Sequence, residues 1–278
     1  MQPEGVVYSG TGEFYIAEAL RSAASSRRHN ALPHAVFASA GADVPQGAVE
    51  GVAIVPFEPS GNPYIDKIAN MRRSPFERTI YLDTDTYVVE EIVHLLALLD
   101  RYDIAVAFAP AYRGLEDPEV PKAFFEFNTG VLVWRATERV GEFMRSWQET
   151  YAAWLQEEPF AGAGAASRGR VADQPAFRRC AWQHDLRLFV LGPEYNFRLG
   201  FPTTVVDRVR VIHGENADMD GLAARVNALG GPRSWPPAPP LSLGAKVLRR
   251  VAKLGRARSR SSQLPKSASR EAKSAQSR

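Results

Sequence analysis

The residues Thr79–Val89, TIYLDTDTYVV, decide how the rest of the chain is read. The apolar run Ile80-Tyr81-Leu82 has the character of a buried strand, and it stops at Asp83-Thr84-Asp85. In extended backbone, side chains two apart point to the same side, so Asp83 and Asp85 are expected together. Two neighbouring carboxylates repel and want a cation between them. Hard oxygen ligands suit Mg²⁺ or Mn²⁺. In open α/β sheets, ligands bind beyond the carboxyl ends of the strands. A metal-chelated nucleoside diphosphate is the natural guest of such a site. A lone acidic pair of this kind is more often a turn capping the next helix, so the surrounding motifs must carry the reading.

Around this strand the pattern alternates. Short apolar strands are expected at Gly5–Ser9, Ala35–Ser39, Val52–Pro56, Ile104–Ala109, Phe127–Trp134, Leu186–Val190 and Val209–His213. Helical periodicity covers Phe14–Arg28, Asn62–Arg73, Glu90–Leu99, Thr137–Gln156 and Ala172–Trp182. Such alternation predicts a three-layer α/β sandwich on a mostly parallel sheet. In the long helix, Val140, Phe143, Met144, Trp147, Tyr151 and Trp154 recur at helical spacing and form a core stripe. The small, Gly-rich segment 161–170 has no periodicity and is expected to be a mobile lid leading into Asp173.

The chain of 278 residues suits one large α/β domain, residues 1–231, plus an appendage. A Pro-rich linker follows at 232–240, then a basic amphipathic helix at 241–257 and a disordered basic tail at 258–278. Residues 246–278 carry a net charge of +10 and the remainder −7, so the basic balance belongs to the tail. One cysteine, Cys180, leaves no intrachain disulfide framework, is read as structural, and fits a reducing, cytoplasmic compartment. No apolar run approaches the roughly 18 residues of a membrane-spanning helix, and the N-terminus lacks the basic and apolar regions of a signal peptide. Between Leu243 and Arg256 the apolar and basic residues fall in opposite sectors, which predicts peripheral contact with an anionic membrane surface.

Several further motifs follow in order, and together with the acidic pair they resemble the retaining GT-A-fold glycosyltransferases that include glycogenin and the bacterial lipopolysaccharide galactosyltransferases. The similarity spans roughly residues 5–215. The opening VVYSGTGEFYIAEAL resembles that family's first strand, uridine-binding turn and first helix, and the resemblance puts Thr11 and Tyr15 at the base. A turn residue and a buried helical tyrosine are the alternative. Lys67 precedes Asp83 by sixteen residues, as the family's diphosphate-contacting lysine does, although Arg72 or Arg73 could serve instead. FNTGVLVW resembles the FNxG strand, with Asn128 and Thr129 toward the donor and Gly130 admitting it close to the backbone. Asp173-Gln174 resembles the pair near the anomeric centre, and Asp173 is also a fitting helix N-cap. His213 ends the strand VIH where the resemblance implies a third metal ligand beside Asp83 and Asp85. Tyr195-Asn196 is read as structural.

The resemblance implies a metal-dependent hexosyltransferase using Mn²⁺ or Mg²⁺ and a nucleotide sugar, a UDP-sugar first, with retention. The acceptor is an unidentified glycan or lipid-linked hydroxyl. One departure stands out: the family's lysine shortly after this histidine is missing from Gly214-Glu215-Asn216-Ala217-Asp218, leaving Arg225 or the tail to substitute. A DxD phosphatase of the haloacid-dehalogenase type fits less well, because Tyr87 replaces the usual Thr or Val and no GDxxxD follows. A sugar nucleotidyltransferase would carry GxGTRxxP after the first strand, where this chain has Ser9-Gly10-Thr11-Gly12-Glu13. A non-enzymatic adaptor using its basic tail, on nucleic acid or membrane, leaves the ordered motifs unexplained, and nucleic acid is not the expected partner.

Overall fold

The computed structural model describes residues 2–42, 44, 49–109, 117–156 and 172–235. The expected lid at 161–170 and the amphipathic helix at 241–257 lie outside them. The strands are β1 (Gln2–Gly10), β2 (His34–Ser39), β3 (Val52–Phe57), β4 (Phe76–Leu82), β5 (Thr86–Val88), β6 (Ile104–Phe108), β7 (Phe127–Arg135), β8 (Leu188–Leu191), β9 (Phe197–Arg198), β10 (Thr203–Val205), β11 (Val211–His213) and β12 (Arg233–Trp235). The α-helices are α1 (Glu13–Arg27), α2 (Pro63–Arg72), α3 (Glu138–Trp154), α4 (Gln174–Gln183) and α5 (Met219–Val226).

The main sheet has the order β3-β2-β1-β4-β7-β6-β8. Only β7 runs against its neighbours, so the sheet is mostly parallel, as the alternating pattern predicts. Successive strand residues face opposite layers. Val7, Phe37 and Tyr81 pack with α2, α3 and α4 on one face, while Val6, Tyr8, Ile80 and Leu82 pack against α1 and the Val93–Asp100 segment on the other. The aromatic stripe of α3 lies wholly in the first layer. Cys180 is buried there too and donates weakly to Thr150 Oγ1, a structural thiol that burial pushes up.

Local signals explain the helix boundaries. Asn62 caps α2 by accepting from the amides of Tyr64 and Ile65, with Pro63 in the first turn. Thr137 caps α3 through Val140 N–H. The helix expected at Glu90–Leu99 is instead a 3₁₀ segment, Val93–Asp100. At its start, Arg210 donates to the carbonyl of Glu91, and Ile92 N–H donates to Asn30 Oδ1. Ile92, Leu95, Leu96 and Leu99 are buried at the spacing of an α-helix, which is why the sequence pattern reads as one.

The chain leaves β1 toward β2 and β3, then returns to place β4 on β1's other side. That reversal opens a crevice at the carboxyl ends of β1 and β4. A small sheet, β5-β11-β9, is built over the same end, and its pairing sets His213 opposite Thr86. A hairpin-like pair, β10 with β12, uses Arg233–Trp235, so the folded unit takes in the first residues of the expected 232–240 linker. Among the described residues no helix is long and apolar enough to cross a membrane.

Candidate active site

The acidic pair sits where β4 ends. Asp83 N–H still donates to the carbonyl of Gly130 on β7, and then Thr86 returns both its N–H and its hydroxyl to the Asp83 carbonyl. Asp83-Thr84-Asp85 is therefore a turn and not extended backbone. The two carboxylates share a side because this turn folds Asp85 back, not through the two-residue alternation of a strand.

His213 reaches them through pairing between strands distant in sequence. β11 lies antiparallel to β5, and Gly214 N–H donates to the Asp85 carbonyl. His213 Nε2 stands 3.1 Å from Asp85 Oδ1 and 3.9 Å from Asp83 Oδ2. One ligand atom from each of the three residues lies within 4.8 Å of the others. Gly130 makes this convergence possible. A Cβ there would strike the His213 ring and come 2.7 Å from Asp83 Oδ2. Its smallness serves the protein's own ligand group, rather than only the donor approach expected from sequence.

The two oxygens of Asp83 are divided. Oδ1 accepts from Tyr81 O–H at 3.0 Å and pairs with Lys67 Nζ at 2.9 Å, while Oδ2 faces His213. Burial, with Asp83 beside it, pushes the Tyr81 hydroxyl well up, so it stays a donor. Lys67 comes from α2 and is buried. It also donates to Thr129 Oγ1 at 3.1 Å and lies 3.5 Å from Asp173 Oδ2. Burial pulls its ammonium down, but Asp173 and Asp83 outweigh burial and hold it above the ordinary lysine value.

Asp173 stands at the N-cap position of α4, yet its side chain makes no cap. It accepts from Thr129 Oγ1 at 2.9 Å instead, and its backbone carbonyl accepts from Trp147 Nε1 at 3.0 Å. Burial raises the Asp173 carboxyl above the usual range despite Lys67. Both values are raised, because the one ammonium faces two carboxylates while burial outweighs its pull on Asp173. Gln174 packs beside it, with Oε1 accepting from Asn128 Nδ2 at 2.8 Å and Nε2 donating to Glu126 at 2.8 Å.

These groups line one cleft of about 440 Å³, together with Thr11, Phe14 and Tyr15. Thr11 donates to Asp66 Oδ2 at 3.0 Å, so its hydroxyl orders the turn after β1. Tyr15 is half exposed and meets Phe14 edge to face, not buried in the helix core. All ten residues singled out from sequence are thus brought to one cleft. Arg72 goes elsewhere, donating to Gln148, and Arg73 stacks over Phe37. Arg225 faces Asp218 and does not line the cleft.

Sequence reasoning missed the cation that does. Arg198, at the end of β9, donates from Nη1 to His213 Nε2 at 2.7 Å. With Lys67 on Asp83, it offsets the repulsion between the two carboxylates. Asp85 is accordingly held at about 2: burial pushes it up, and His213 and Arg198 pull it down further. Asn196, read as structural, touches His213 Nδ1 through Oδ1 at 2.7 Å. Its neighbour Tyr195 does lie apart, against His94. Glu18 and Glu215 also line the cleft, and Glu18 is pushed up to about 7 by burial and then by Glu215 and Asp85. No motif marks any of these, although Arg198 and Asn196 both fall in NFR.

The donor set fits a hard divalent cation. Two carboxylate oxygens and an imidazole lone pair converge on one point at the surface of the cleft, which suits Mg²⁺ or Mn²⁺ with further oxygen ligands from a guest.

No protein-family model matches the chain, and no curated protein matches it by sequence. Solved structures do match in three dimensions. A galactosyltransferase, LgtC, in complex with donor and acceptor sugar analogues, superposes with a TM-score of 0.52 at 12% identity, over 80% of this chain and 93% of that one. The glycosyltransferase GlyE of Streptococcus pneumoniae TIGR4 gives 0.50 at 16% identity, over 96% of this chain and 66% of GlyE. Its apo form gives 0.52 at 17% identity, over 78% of this chain and 56% of that one. At these identities the likeness speaks for the fold alone, and the fold of this chain is that of the GT-A-type glycosyltransferases.

Proposed function

We propose that this protein is a metal-dependent glycosyltransferase that moves a hexose from a nucleotide sugar, a UDP-sugar first, to a hydroxyl acceptor with retention at the anomeric carbon. The observation that carries the reading is the convergence of Asp83, Asp85 and His213 beside Lys67, Asp173 and Gln174 in one cleft of a GT-A-type fold. Retention rests on the motif resemblance.

Asp83, Asp85 and His213 would hold the cation, Mn²⁺ or Mg²⁺. When bound it supplies Lewis-acid stabilisation of charge on the leaving diphosphate. Tyr15, half exposed at the cleft mouth, supports a stacking surface for the base. Arg198 supplies the positive charge that the family lysine would have brought, close to the metal-ligating histidine. Lys67 pairs with Asp83 and holds Asp173 in place. The Asp173 carboxylate and the Gln174 amide are the groups placed to stabilise oxocarbenium-like charge and to hold sugar hydroxyls.

The acceptor is proposed to be a glycan or lipid-linked hydroxyl, met with the basic C-terminal segment resting on an anionic membrane surface. Liposome co-sedimentation tests that part: the full chain pellets with anionic vesicles at low salt, and a chain ending at Pro240 does not. Equal behaviour of the two removes the membrane proposal and leaves the catalytic one. The central test is a panel of nucleotide sugars with Mn²⁺ and Mg²⁺, scored by released diphosphate. Release with one donor, lost on chelation, supports the reading; no hydrolysis or transfer with any donor refutes it.

A further inference from the structure

A line of buried polar side chains leads away from the metal-ligand group into the protein. Glu126, Gln174, Asn128, Asn196 and His213 are all buried. Gln174 Nε2 donates to Glu126 Oε1 at 2.8 Å, Asn128 Nδ2 to Gln174 Oε1 at 2.8 Å, and Asn196 Nδ2 to Asn128 Oδ1 at 3.0 Å. The last step joins Asn196 Oδ1 and His213 Nδ1 at 2.7 Å. An ionised carboxylate only accepts hydrogen bonds, whereas each amide has one donating and one accepting end. Glu126 therefore fixes which way Gln174 points, Gln174 fixes Asn128, and Asn128 fixes Asn196. The amide of Gly130 adds a second donor to Asn128 Oδ1 at 3.2 Å and favours the same orientation. At the end of the line only an acceptor faces His213, so Nδ1 carries a proton and Nε2 is the nitrogen left for a metal.

On the other side of the ring, Arg198 Nη1 can only donate, and its approach favours a lone pair on Nε2. The Asp85 and Asp83 oxygens beside the same nitrogen favour a proton there in the metal-free protein, which a bound cation would displace. Metal-bound histidines generally have their second ring nitrogen held by an outer partner, which fixes tautomer and orientation. Here that partner is an amide whose direction is itself imposed from three side chains away.

We infer that Glu126 is a positioning residue: through Gln174, Asn128 and Asn196 it sets the polarity of a buried hydrogen-bond relay that presents the Nε2 lone pair of His213 to the metal position. The inference rests on reading Asp83, Asp85 and His213 as metal ligands, but its main test needs neither metal nor sugar transfer. Glu126→Gln keeps the shape and removes the one group that cannot donate, so both relay directions become available. Asn196→Asp puts an acceptor-only group next to His213. Alone, it leaves two amides between two acceptors, with the carbonyls of Asn128 and Gln174 facing each other. With Glu126→Gln added, both amides can reverse together and every side-chain link of the relay is made again, with only the longer Gly130 N–H bond to Asn128 given up.

The experiment is a double-mutant cycle on thermal unfolding of the metal-free protein, with ¹⁵N NMR of the His213 ring at a pH where it is neutral. The relay predicts that Glu126→Gln lowers the midpoint in the native background and raises it in the Asn196→Asp background. It also predicts that the Nδ1-protonated form gives up part of its population in Glu126→Gln and is restored in the double variant. Mn²⁺ affinity, measured without nucleotide, should fall about tenfold or more in Glu126→Gln and recover in the double variant. Residues that merely pack would give additive costs and no rescue. Additive midpoints, or an unchanged His213 spectrum in Glu126→Gln, overturn the inference. Should Glu126→Gln alone fail to fold, a double variant more stable than Asn196→Asp still supports it, and one less stable overturns it. Absence of Mn²⁺ binding by the native protein would count against the proposed function, and the relay would still be decided by the unfolding and NMR results.

Discussion

Replacing Lys67 by methionine isolates the charge balance under the acidic pair. The ammonium lies 2.9 Å from Asp83 and 3.5 Å from Asp173, and its side chain is only 8% exposed. At an effective dielectric of about 20, each pair interacts by about 5 kcal/mol. Much of that is cancelled by the desolvation of the three charged groups. Removing one partner of a buried pair while the other charge stays costs about 3–5 kcal/mol. Urea unfolding at neutral pH should therefore show a loss of that size for Lys67→Met. The double variant Lys67→Met/Asp173→Asn should regain most of it, because the stranded buried charge is gone. The pH dependence has a definite sign. Burial already raises the folded Asp173 value, so the cost of its charge is absent below the unfolded value of about 3.9 and grows as pH rises toward the folded value. Without Lys67 the folded value rises further and the window widens. The deficit of Lys67→Met should thus be largest at neutral pH and shrink on acidification. A loss under about 1 kcal/mol, the worth of an exposed pair, or a deficit that does not change with pH, would refute this account.

Asp85→Asn should abolish metal-dependent transfer while the chain stays folded, as read by diphosphate release and circular dichroism. Because His213 and Arg198 hold Asp85 at about 2, its charge favours the fold above the unfolded carboxylate value and loses that effect as pH falls through about 2. The metal-free variant should therefore melt slightly below the native protein at neutral pH and not above it. Gly130→Ala should weaken Mn²⁺ binding and cost about 1–3 kcal/mol, since its methyl collides with the His213 ring and Asp83; unchanged titration curves would refute the close approach. Trp147→Ala should cost about 3–5 kcal/mol in urea unfolding by emptying the α3 core and releasing the Asp173 carbonyl, whereas Trp147→Phe should lose far less stability.

The sequence by itself determined what depends on near neighbours in the chain. Apolar period and capping residues set the strands and most helices, because each element buries a face whose spacing is written locally. The end of β4 at Asp83, the cap at Asn62 and the α3 stripe are of this kind. Even there, Glu90–Leu99 departs from the reading and winds as a 3₁₀ segment from Val93, beside Ile92 N–H and a Glu91 carbonyl held by Asn30 and Arg210, far away in sequence. The motif residues were legible as chemistry, but their geometry was not. Tertiary structure alone decided that Asp83 and Asp85 meet through a turn, and that β11 lays His213 against β5. It alone decided that Arg198 stands against His213 and that Asp173 spends its carboxylate on Thr129 and Lys67 rather than on its helix. The physical reason is common to all of these. Burial strengthens a polar contact and makes a missing partner costly, and which buried groups meet is settled by strand pairing across 123 to 127 residues, not by spacing along the chain.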